Sequence, residues 1–167
     1  MGVVGAGKTT IGTLLAQKLG WVFADADNFH PAENVAKMSH GIALTDIDRA
    51  PWLAAMHDAI VQWNRTGQNV ALACSALKHS YREQLRAGDL KFVYLKGSRE
   101  LVLERLRARH GHFATESILD SQFRDLEEPG DELCIEIDAA PEEVVAEIIR
   151  RLGLRRISAK ADFSSPD

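Results

Sequence analysis

The first residues of the chain have the types and the spacing of a phosphate-binding loop. Gly2-Val3-Val4-Gly5-Ala6-Gly7-Lys8-Thr9 fits the pattern G-x-x-x-x-G-K-[ST]. Its glycines let the backbone curl so that successive N–H groups point at a triphosphate, while the lysine reaches the β- and γ-phosphates and the threonine hydroxyl ligates Mg²⁺. A helix beginning at Lys8 adds the positive end of its dipole. We therefore expect a nucleoside triphosphate to bind at Gly2, Val3, Val4, Gly5, Ala6, Gly7, Lys8, Thr9 and Thr10.

Two carboxylates follow the next apolar run, at Asp25 and Asp27. In an open α/β sheet, ligands bind outside the carboxyl ends of the strands, so these side chains should face the phosphate-binding loop. Their i, i+2 spacing in an extended segment would put both on the same side. We assign Asp25, with Thr9, to Mg²⁺, and Asp27 to the attacking hydroxyl, whose proton it accepts. The alternative is that the pair makes turn or N-cap contacts before Pro31.

Three further side chains are candidates for holding the acceptor substrate. His30 can donate a hydrogen bond, Arg49 can grip a carboxylate through its planar fork, and Lys78 can reach a carboxylate or a phosphate. Each has a structural alternative. His30 would be an ordinary residue of a strand–helix junction, Arg49 would form a salt bridge to Asp46 or Asp48, and Lys78 would be a solvated charge at a helix start.

Arg105 and Arg109 are spaced i, i+4 and so share one helical face. Gly111-His112-Phe113 then interrupts the helix. Two arginines at such a turn suit a lid, at about residues 105–116, that closes over a triphosphate and stabilises the transition state. With Lys8 and Asp27 they form the expected catalytic set. The alternatives are a solvated basic face and an RNA-binding patch, and the net charge of −4 argues against the latter.

Strand and helix patterns alternate along the chain, which favours a parallel α/β sheet with helices on both faces. The predicted strands are Trp21–Ala24, Val70–Cys74, Phe92–Leu95 and Leu133–Ile137. The predicted helices are Thr10–Leu19, Pro31–Met38, Ile47–Arg65 (with Asp46 as its cap and Pro51 in its first turn), Ser80–Arg86, Arg99–Ala108, Glu116–Leu126 and Pro141–Leu152.

A phosphate-binding loop normally follows a buried strand, and here only Met1 precedes Gly2. We therefore expect the first strand to be truncated. The length of 167 residues suits one domain with a proper core, and we place it at residues 1–152, followed by a loose polar tail at 153–167. Cys74 and Cys134 lie in strand-like runs and are expected to be free thiols, typical of a reducing compartment. Neither a membrane-spanning stretch nor a signal peptide is evident, so a cytoplasmic protein is expected.

Taken together, these motifs resemble those of the gluconokinase family of small P-loop sugar-acid kinases. The matching residues run from the phosphate-binding loop to about Leu152, and they are Asp25-Ala26-Asp27 with His30-Pro31, Asn34 with Lys37-Met38, Gly41, Leu44, Asp46-x-Asp48-Arg49-x-Pro51-Trp52-Leu53, Cys74-Ser75-Ala76-Leu77-Lys78 with Tyr81-Arg82, Leu95-Lys96-Gly97, Arg105-Leu106-x-Ala108-Arg109-x-Gly111-His112-Phe113, and Gln122-Phe123 with Leu126-Glu127-x-Pro129.

The resemblance implies transfer of the ATP γ-phosphate to the 6-hydroxyl of D-gluconate, with ATP and Mg²⁺ as cofactors. It also implies the fold of shikimate kinases, with a five-stranded parallel sheet, substrate-binding helices at about residues 31–65, a lid, and a cytoplasmic homodimer. No nucleic acid or membrane is expected as a partner. The alternatives are a kinase for another acceptor, such as shikimate, and a non-catalytic nucleotide-binding protein.

Overall fold

The structure is a computed structural model, and it describes residues 1–108 and 116–156. Helices and strands alternate through these residues, as the sequence predicts. The helices are α1 (Lys8–Leu19), α2 (Ala32–Ser39), α3 (Asp46–Thr66), α4 (His79–Leu85), α5 (Arg99–Ala108), α6 (Glu116–Asp125) and α7 (Pro141–Leu152), and the strands are β1 (Val22–Asp25), β2 (Val70–Ala73), β3 (Val93–Lys96) and β4 (Leu133–Glu136). A short 3₁₀ helix, Ala26–Phe29, follows β1.

The strands form two parallel pairs. Strand β1 pairs with β2, in a register that sets Asp25 beside Ala73, and β3 pairs with β4, with Lys96 beside Glu136. The parallel α/β class is therefore confirmed. The described residues do not form one five-stranded sheet, however, since they give two separate two-stranded sheets.

Met1 and Gly2 join the two sheets at their carboxyl edge. The N–H of Gly2 donates to the carbonyl of Ser75, just beyond β2, at 3.1 Å, and the N–H of Leu95 in β3 donates to the carbonyl of Met1 at 3.0 Å. Behind these bonds lies a cavity of about 480 Å³, whose lining includes all of β2, Phe92 and Val93. We call this cavity the inter-sheet slot.

Helices cover the strands on both sides and enclose two apolar clusters. Helix α1 packs against α7 and against β1 and β2, whereas α3 packs against α4 and the 3₁₀ helix. The first cluster includes Ile11, Leu95, Val102, Leu119, Ile137 and Ile148. The second includes Trp52, Leu53, Met56, Tyr81, Leu85 and Phe92. Trp52 is buried in the second cluster, at 4% exposure.

The start of α3 differs from the prediction. Thr45, rather than Asp46, is the N-cap, because its side chain accepts from the N–H of Asp48 while the Asp48 carboxylate accepts from the N–H of Thr45, which is a capping box. Asp46 is thereby left to contact other elements. Pro51 also lies inside the helix rather than in its first turn.

Candidate functional site

The phosphate-binding loop ends in a glycine that starts α1. Gly7 has φ 89° and is the N-cap of α1, where it has no side chain to cap the helix. Gly5 has φ 82°, and a Cβ atom on it would lie 2.8 Å from Cγ1 of Val102. Both positions therefore require glycine. The loop thus leads directly into the N-terminus of α1, where backbone N–H groups and the helix dipole suit an anion such as a triphosphate.

Lys8 and Thr9 lie at the start of α1, and their side chains contact the phosphate-binding loop and the end of β1, respectively. Nζ of Lys8 donates to the carbonyl of Val3 at 2.8 Å, so its side chain folds back over the loop. Oγ1 of Thr9 lies 3.4 Å from Oδ2 of Asp25, at the carboxyl end of β1. The structure thus brings together the two residues that the sequence assigns to the metal.

Asp25 and Asp27 do not share an extended segment, so that part of the prediction is wrong. Asp25 ends β1 and is the N-cap of the 3₁₀ helix, where its side chain accepts from the N–H of Asp27 at 3.1 Å. The helix forms because this bond turns the chain directly after the strand. Asp27 lies in its first turn and is exposed to solvent.

His30 follows the 3₁₀ helix and is held from two sides. Its ring stacks on Trp52, with ring centroids 4.6 Å apart and planes 6° apart, and the indole N–H of Trp52 donates to the carbonyl of Ala26 at 2.7 Å. Nδ2 of Asn34 lies 3.4 Å from Nδ1 of His30. Burial lowers the pKa of His30, with a smaller opposing effect from Asp27 and a smaller lowering effect from Arg49. Burial therefore favours the neutral form of the ring.

The carboxylate of Asp46 contacts both of the cationic side chains, Arg49 and Lys78, that the sequence assigns to the acceptor substrate. Nζ of Lys78 lies 2.8 and 2.9 Å from its two carboxylate oxygens, and Nη1 of Arg49 lies 3.7 Å from Oδ1. The hydroxyl of Tyr81 donates to Asp46 and accepts from Nη1 of Arg49 at 3.3 Å. We call Asp46, Arg49, Lys78 and Tyr81 the Asp46 cluster.

Both cations of the Asp46 cluster have a partner within the protein. Arg49 does form a salt bridge with Asp46, and Lys78 is paired rather than simply solvated. Hydrogen bonds from Lys78 and then Tyr81 lower the pKa of Asp46, and the bond to Asp46 raises the pKa of Lys78. Two cations against one carboxylate leave one net positive charge, which suits a monoanionic carboxylate.

Arg105 lies beside the phosphate-binding loop. Its guanidinium donates to the carbonyl of Ile137, and it lines a cavity of about 240 Å³ with Gly5, Gly7, Thr10, Ile137 and Pro141. This cavity, next to a triphosphate site, is mainly apolar and could hold a flat ring. Arg109 lies outside the described residues, as do residues 110–115 of the predicted lid.

Three residues that hold the site were named in the sequence only as part of the family resemblance, with no role assigned to them. Oε1 of Gln122, on α6, accepts from the N–H of Val4 at 2.6 Å, so that this amide is already bound within the protein. Asn34 contacts His30, and Tyr81 contacts Asp46. The spacing of four residues between His30 and Asn34 gave no helical signal, because His30 lies before α2, which begins at Ala32. Gln122 had none, because it lies 118 residues from Val4.

The segment after β2 contains a buried thiol and an unusual turn. Cys74 and Cys134 are both free, as predicted, and Cys74 is buried. Burial raises the pKa of Cys74 to about 11, so the thiol is neutral at pH 7. Ala76 has φ 42°, and the buried Arg82 donates to its carbonyl at 3.2 Å and to that of Leu77 at 3.0 Å.

Residues 1–108 and 116–156 offer neither a clustered metal site nor a membrane-spanning helix. These residues contain no group of three or more His, Cys, Asp or Glu side chains that could hold a metal ion. Nor does any of their helices have the length and apolarity needed to cross a membrane.

Comparison with known proteins gives consistent results. The shikimate kinase family pattern matches residues 4–153. The gluconokinase of Gluconobacter oxydans (strain 621H) is 48% identical over 155 residues, covering 90% of this chain and 87% of that protein. The thermoresistant gluconokinase of Escherichia coli (strain K12) is 44% identical, covering 89% of each. The crystal structure of a gluconokinase from Sinorhizobium meliloti 1021 superposes with a TM-score of 0.83 at 41% identity, covering 92% of this chain and 89% of that one.

Proposed function

Because this chain belongs to the shikimate kinase family and, within it, to the gluconokinases, we propose that it transfers the γ-phosphate of ATP to the 6-hydroxyl of D-gluconate. The products are ADP and 6-phospho-D-gluconate. The structural observation that carries the proposal is the Asp46 cluster, whose single net positive charge lies at the starts of α3 and α4. Helix α4 follows the end of β2, where the carbonyl of Ser75 accepts from the N–H of Gly2 in the phosphate-binding loop. A sugar acid supplies one carboxylate to match it.

The nucleotide half of the site comprises the loop, Lys8 and the cavity beside Arg105. Backbone N–H groups of the loop and of the first turn of α1 bind the phosphates, apart from those of Val4 and Ala6, which are bound to Gln122 and to the Val3 carbonyl. Lys8 neutralises charge on the transferring group. The cavity of about 240 Å³ holds the adenine, with Arg105 at one side and Pro141 in its lining. Arg105 and Arg109 stay assigned to the transition state as predictions.

Thr9 and Asp25 fit a magnesium ion. Their oxygens lie 3.4 Å apart, and hydroxyl and carboxylate oxygens are the ligands that this hard cation prefers, usually one or two from the protein with the rest from phosphates and water. Bound Mg²⁺ neutralises negative charge on the β- and γ-phosphates.

The acceptor half binds gluconate through two cationic side chains, a histidine and a carboxylate. Arg49 and Lys78 hold its carboxylate, and His30 donates to one of its hydroxyl oxygens. Asp27 accepts the proton of the 6-hydroxyl as that oxygen bonds to the γ-phosphorus and the bond from phosphorus to the β,γ-bridging oxygen breaks. The substrate-binding helices are α2 and α3, and the kinase domain spans residues 1–152.

Further expectations concern the whole molecule. We propose that a fifth strand in the inter-sheet slot would unite the two sheets, which is supported by the hydrogen bonds of Met1 and Gly2 to both. A homodimer is supported by exposed apolar side chains near the substrate helices, at Val35, Met38, Ile42 and Ile47. A cytoplasmic location is supported by the two free cysteines.

An acceptor screen tests the function. ADP release is measured with Mg-ATP and gluconate, shikimate, AMP or no acceptor, and the product is identified by mass spectrometry. We expect gluconate alone to raise ADP release and to gain one phosphate. Turnover with shikimate instead would show a kinase for another acceptor, and ATP binding without turnover on any acceptor would favour a non-catalytic nucleotide-binding protein.

A further inference from the structure

We propose that Asn34 is a positioning residue, which holds His30 in the tautomer that carries its proton on Nε2 and so makes His30 a hydrogen-bond donor to the sugar acid. The part of this proposal that concerns gluconate rests on the proposed function. The tautomer itself follows from the hydrogen bonds of Asn34 alone.

The orientation of the Asn34 amide is determined by a backbone carbonyl. Nδ2 of Asn34 lies 2.7 Å from the carbonyl oxygen of Asp48, and Asn34 is only 3% exposed. A carbonyl oxygen can only accept, so the atom of the amide that faces it must be the nitrogen. A flipped amide would set two oxygens against each other in a buried place, which is costly.

The same nitrogen determines the protonation of the imidazole. Nδ2 of Asn34 lies 3.4 Å from Nδ1 of His30, and an amide nitrogen only donates. Nδ1 must therefore accept and carries no proton. In the neutral form of the imidazole, the one proton is therefore on Nε2.

The start of α3 keeps the Asp48 carbonyl in place. The capping box of Thr45 and Asp48 determines where the helix begins, and Nζ of Lys37 binds the Asp48 carboxylate at 2.7 Å. Lys37 and Asn34 are both on α2, so two bonds connect α2 to the first turn of α3. The amide that orients His30 is thus attached to a rigid element.

The rest of the His30 environment leaves Nε2 for a ligand. Stacking on Trp52 fixes the ring plane, and the charged groups that act on the ring are Asp27 and Arg49. In residues 1–108 and 116–156, no side chain or backbone group is hydrogen-bonded to Nε2. Its N–H is therefore available to an oxygen of the substrate.

Two other histidines of the chain serve as internal controls. Nδ1 of His40 lies 2.7 Å from the carbonyl of Ala36, and Nδ1 of His57 lies 2.9 Å from the carbonyl of Gln84. Both nitrogens face oxygens that only accept, so both carry a proton. His30 is thus expected to differ from His40 and His57 in the same sample.

Long-range ¹H–¹⁵N correlation spectra of the labelled, full-length protein test the tautomer, at a pH where the histidines are neutral. We expect a pyridine-type Nδ1 and a pyrrole-type Nε2 for His30, and the reverse for His40 and His57. The substitution Asn34→Asp offers a carboxylate in place of the amide and should place a proton on Nδ1 of His30. A pyrrole-type Nδ1 at His30 in the unaltered protein would overturn the proposal.

A double-mutant cycle tests the role in substrate binding. His30→Gln keeps a donor near the position of Nε2 and should raise the KM for gluconate severalfold less than His30→Asn does. Asn34→Ala should raise the KM for gluconate about tenfold, leaving the KM for ATP unchanged, and should add little in a His30→Gln background, because its effect passes through the imidazole. Glu33→Ala, at an exposed neighbour on α2, is the control.

The outcomes separate the proposal from its premise. Full additivity of Asn34→Ala and His30→Gln would show that Asn34 supports the fold rather than the imidazole, and would overturn its positioning role. If the unaltered protein does not phosphorylate gluconate, the proposed function fails, and the spectra still decide the tautomer.

Discussion

The hydroxyl of Thr9 lies 3.4 Å from Oδ2 of Asp25, although the two residues are 16 positions apart. The contact joins the start of α1 to the end of β1, so the nucleotide loop and the carboxylate assigned to Mg²⁺ lie side by side at the carboxyl end of that strand. Asp27, two residues later, has a different environment because it lies in the 3₁₀ helix. The two carboxylates are therefore expected to contribute differently.

Asp27→Asn should lower kcat at least a hundredfold and leave the affinity for ATP nearly unchanged, since proton acceptance by a positioned group contributes about 10²–10⁴-fold. Asp25→Asn should instead raise the Mg²⁺ concentration needed for half-maximal rate. Both quantities come from initial rates at varied Mg²⁺. Full kcat in both variants would show that the pair is structural.

Lys8→Ala should abolish ATP-dependent turnover and leave the fold intact. The ammonium group neutralises charge on the transferring phosphoryl group, an effect worth several kcal/mol in such sites. Lys18→Ala is the matched control, because Lys18 is exposed in the last turn of the same helix. Circular dichroism checks the fold, and near-normal turnover by folded Lys8→Ala protein would contradict the assignment.

Arg49→Ala and Lys78→Ala should each raise the KM for gluconate about tenfold to a hundredfold, because a hydrogen bond to a charged group is worth about 1.5–3 kcal/mol. The KM for ATP should stay constant. Arg65→Ala removes an exposed arginine from the other end of α3 and serves as control. An unchanged gluconate KM in both cluster variants would mean that the carboxylate binds elsewhere.

The Asp48 carboxylate should stabilise the protein in a defined pH range. Its hydrogen bond from Lys37, with further bonds from Thr45, lowers its pKa from 3.8 to about 2. A lowered carboxyl pKa gives stability that is complete above the unfolded value and is lost as the pH falls through the folded one. Asp48→Asn should therefore lower the Tm at pH 7, and the difference from the unaltered protein should shrink between pH 4 and pH 2.

Asp89→Asn, at a pair whose Asp89 and Lys91 side chains are 86% and 61% exposed, is the control for this experiment. It should change the Tm little at any pH, since exposed pairs contribute little. A Tm difference for Asp48→Asn that stays constant down to pH 2 would assign the effect to packing rather than to charge.

An apolar strand fused ahead of Met1 should raise the Tm and the gluconate-dependent activity together. About five residues, the usual strand length, would extend into the inter-sheet slot the pairing that Met1 already makes with β3 and would add pairing with β2. They would also replace the Met1 amine, whose pKa burial lowers to about 5, by a peptide N–H. The added strand should increase the free energy of unfolding by several kcal/mol. A polar fusion of equal length is the control, and equal Tm values would refute the role of the slot.

Local sequence patterns were enough to predict most of the helices and strands and the phosphate-binding loop. The apolar run at Val70 predicts β2, and the glycine spacing predicts the loop at Gly7, because each signal lies within a few residues. The Asp46 cluster could not be predicted, since Lys78 and Tyr81 reach Asp46 across 32 and 35 positions. The capping box at Thr45 could be recognised from the local sequence, but Asp46 is also of a residue type that caps helices, so the sequence alone did not decide between them.

The contacts of helix α6 also bear on the order in which the protein loses activity and structure on heating. The helix holds the N–H of Val4 through Gln122, and just beyond its end Glu127 accepts from the N–H of His79 and donates its own N–H to the carbonyl of Leu77. Yet Leu119 is its one buried residue among those described. A helix with few buried residues unfolds locally before the core does. On gentle heating, inactivation should therefore precede unfolding, and catalysis should cease while most of the secondary structure is still present.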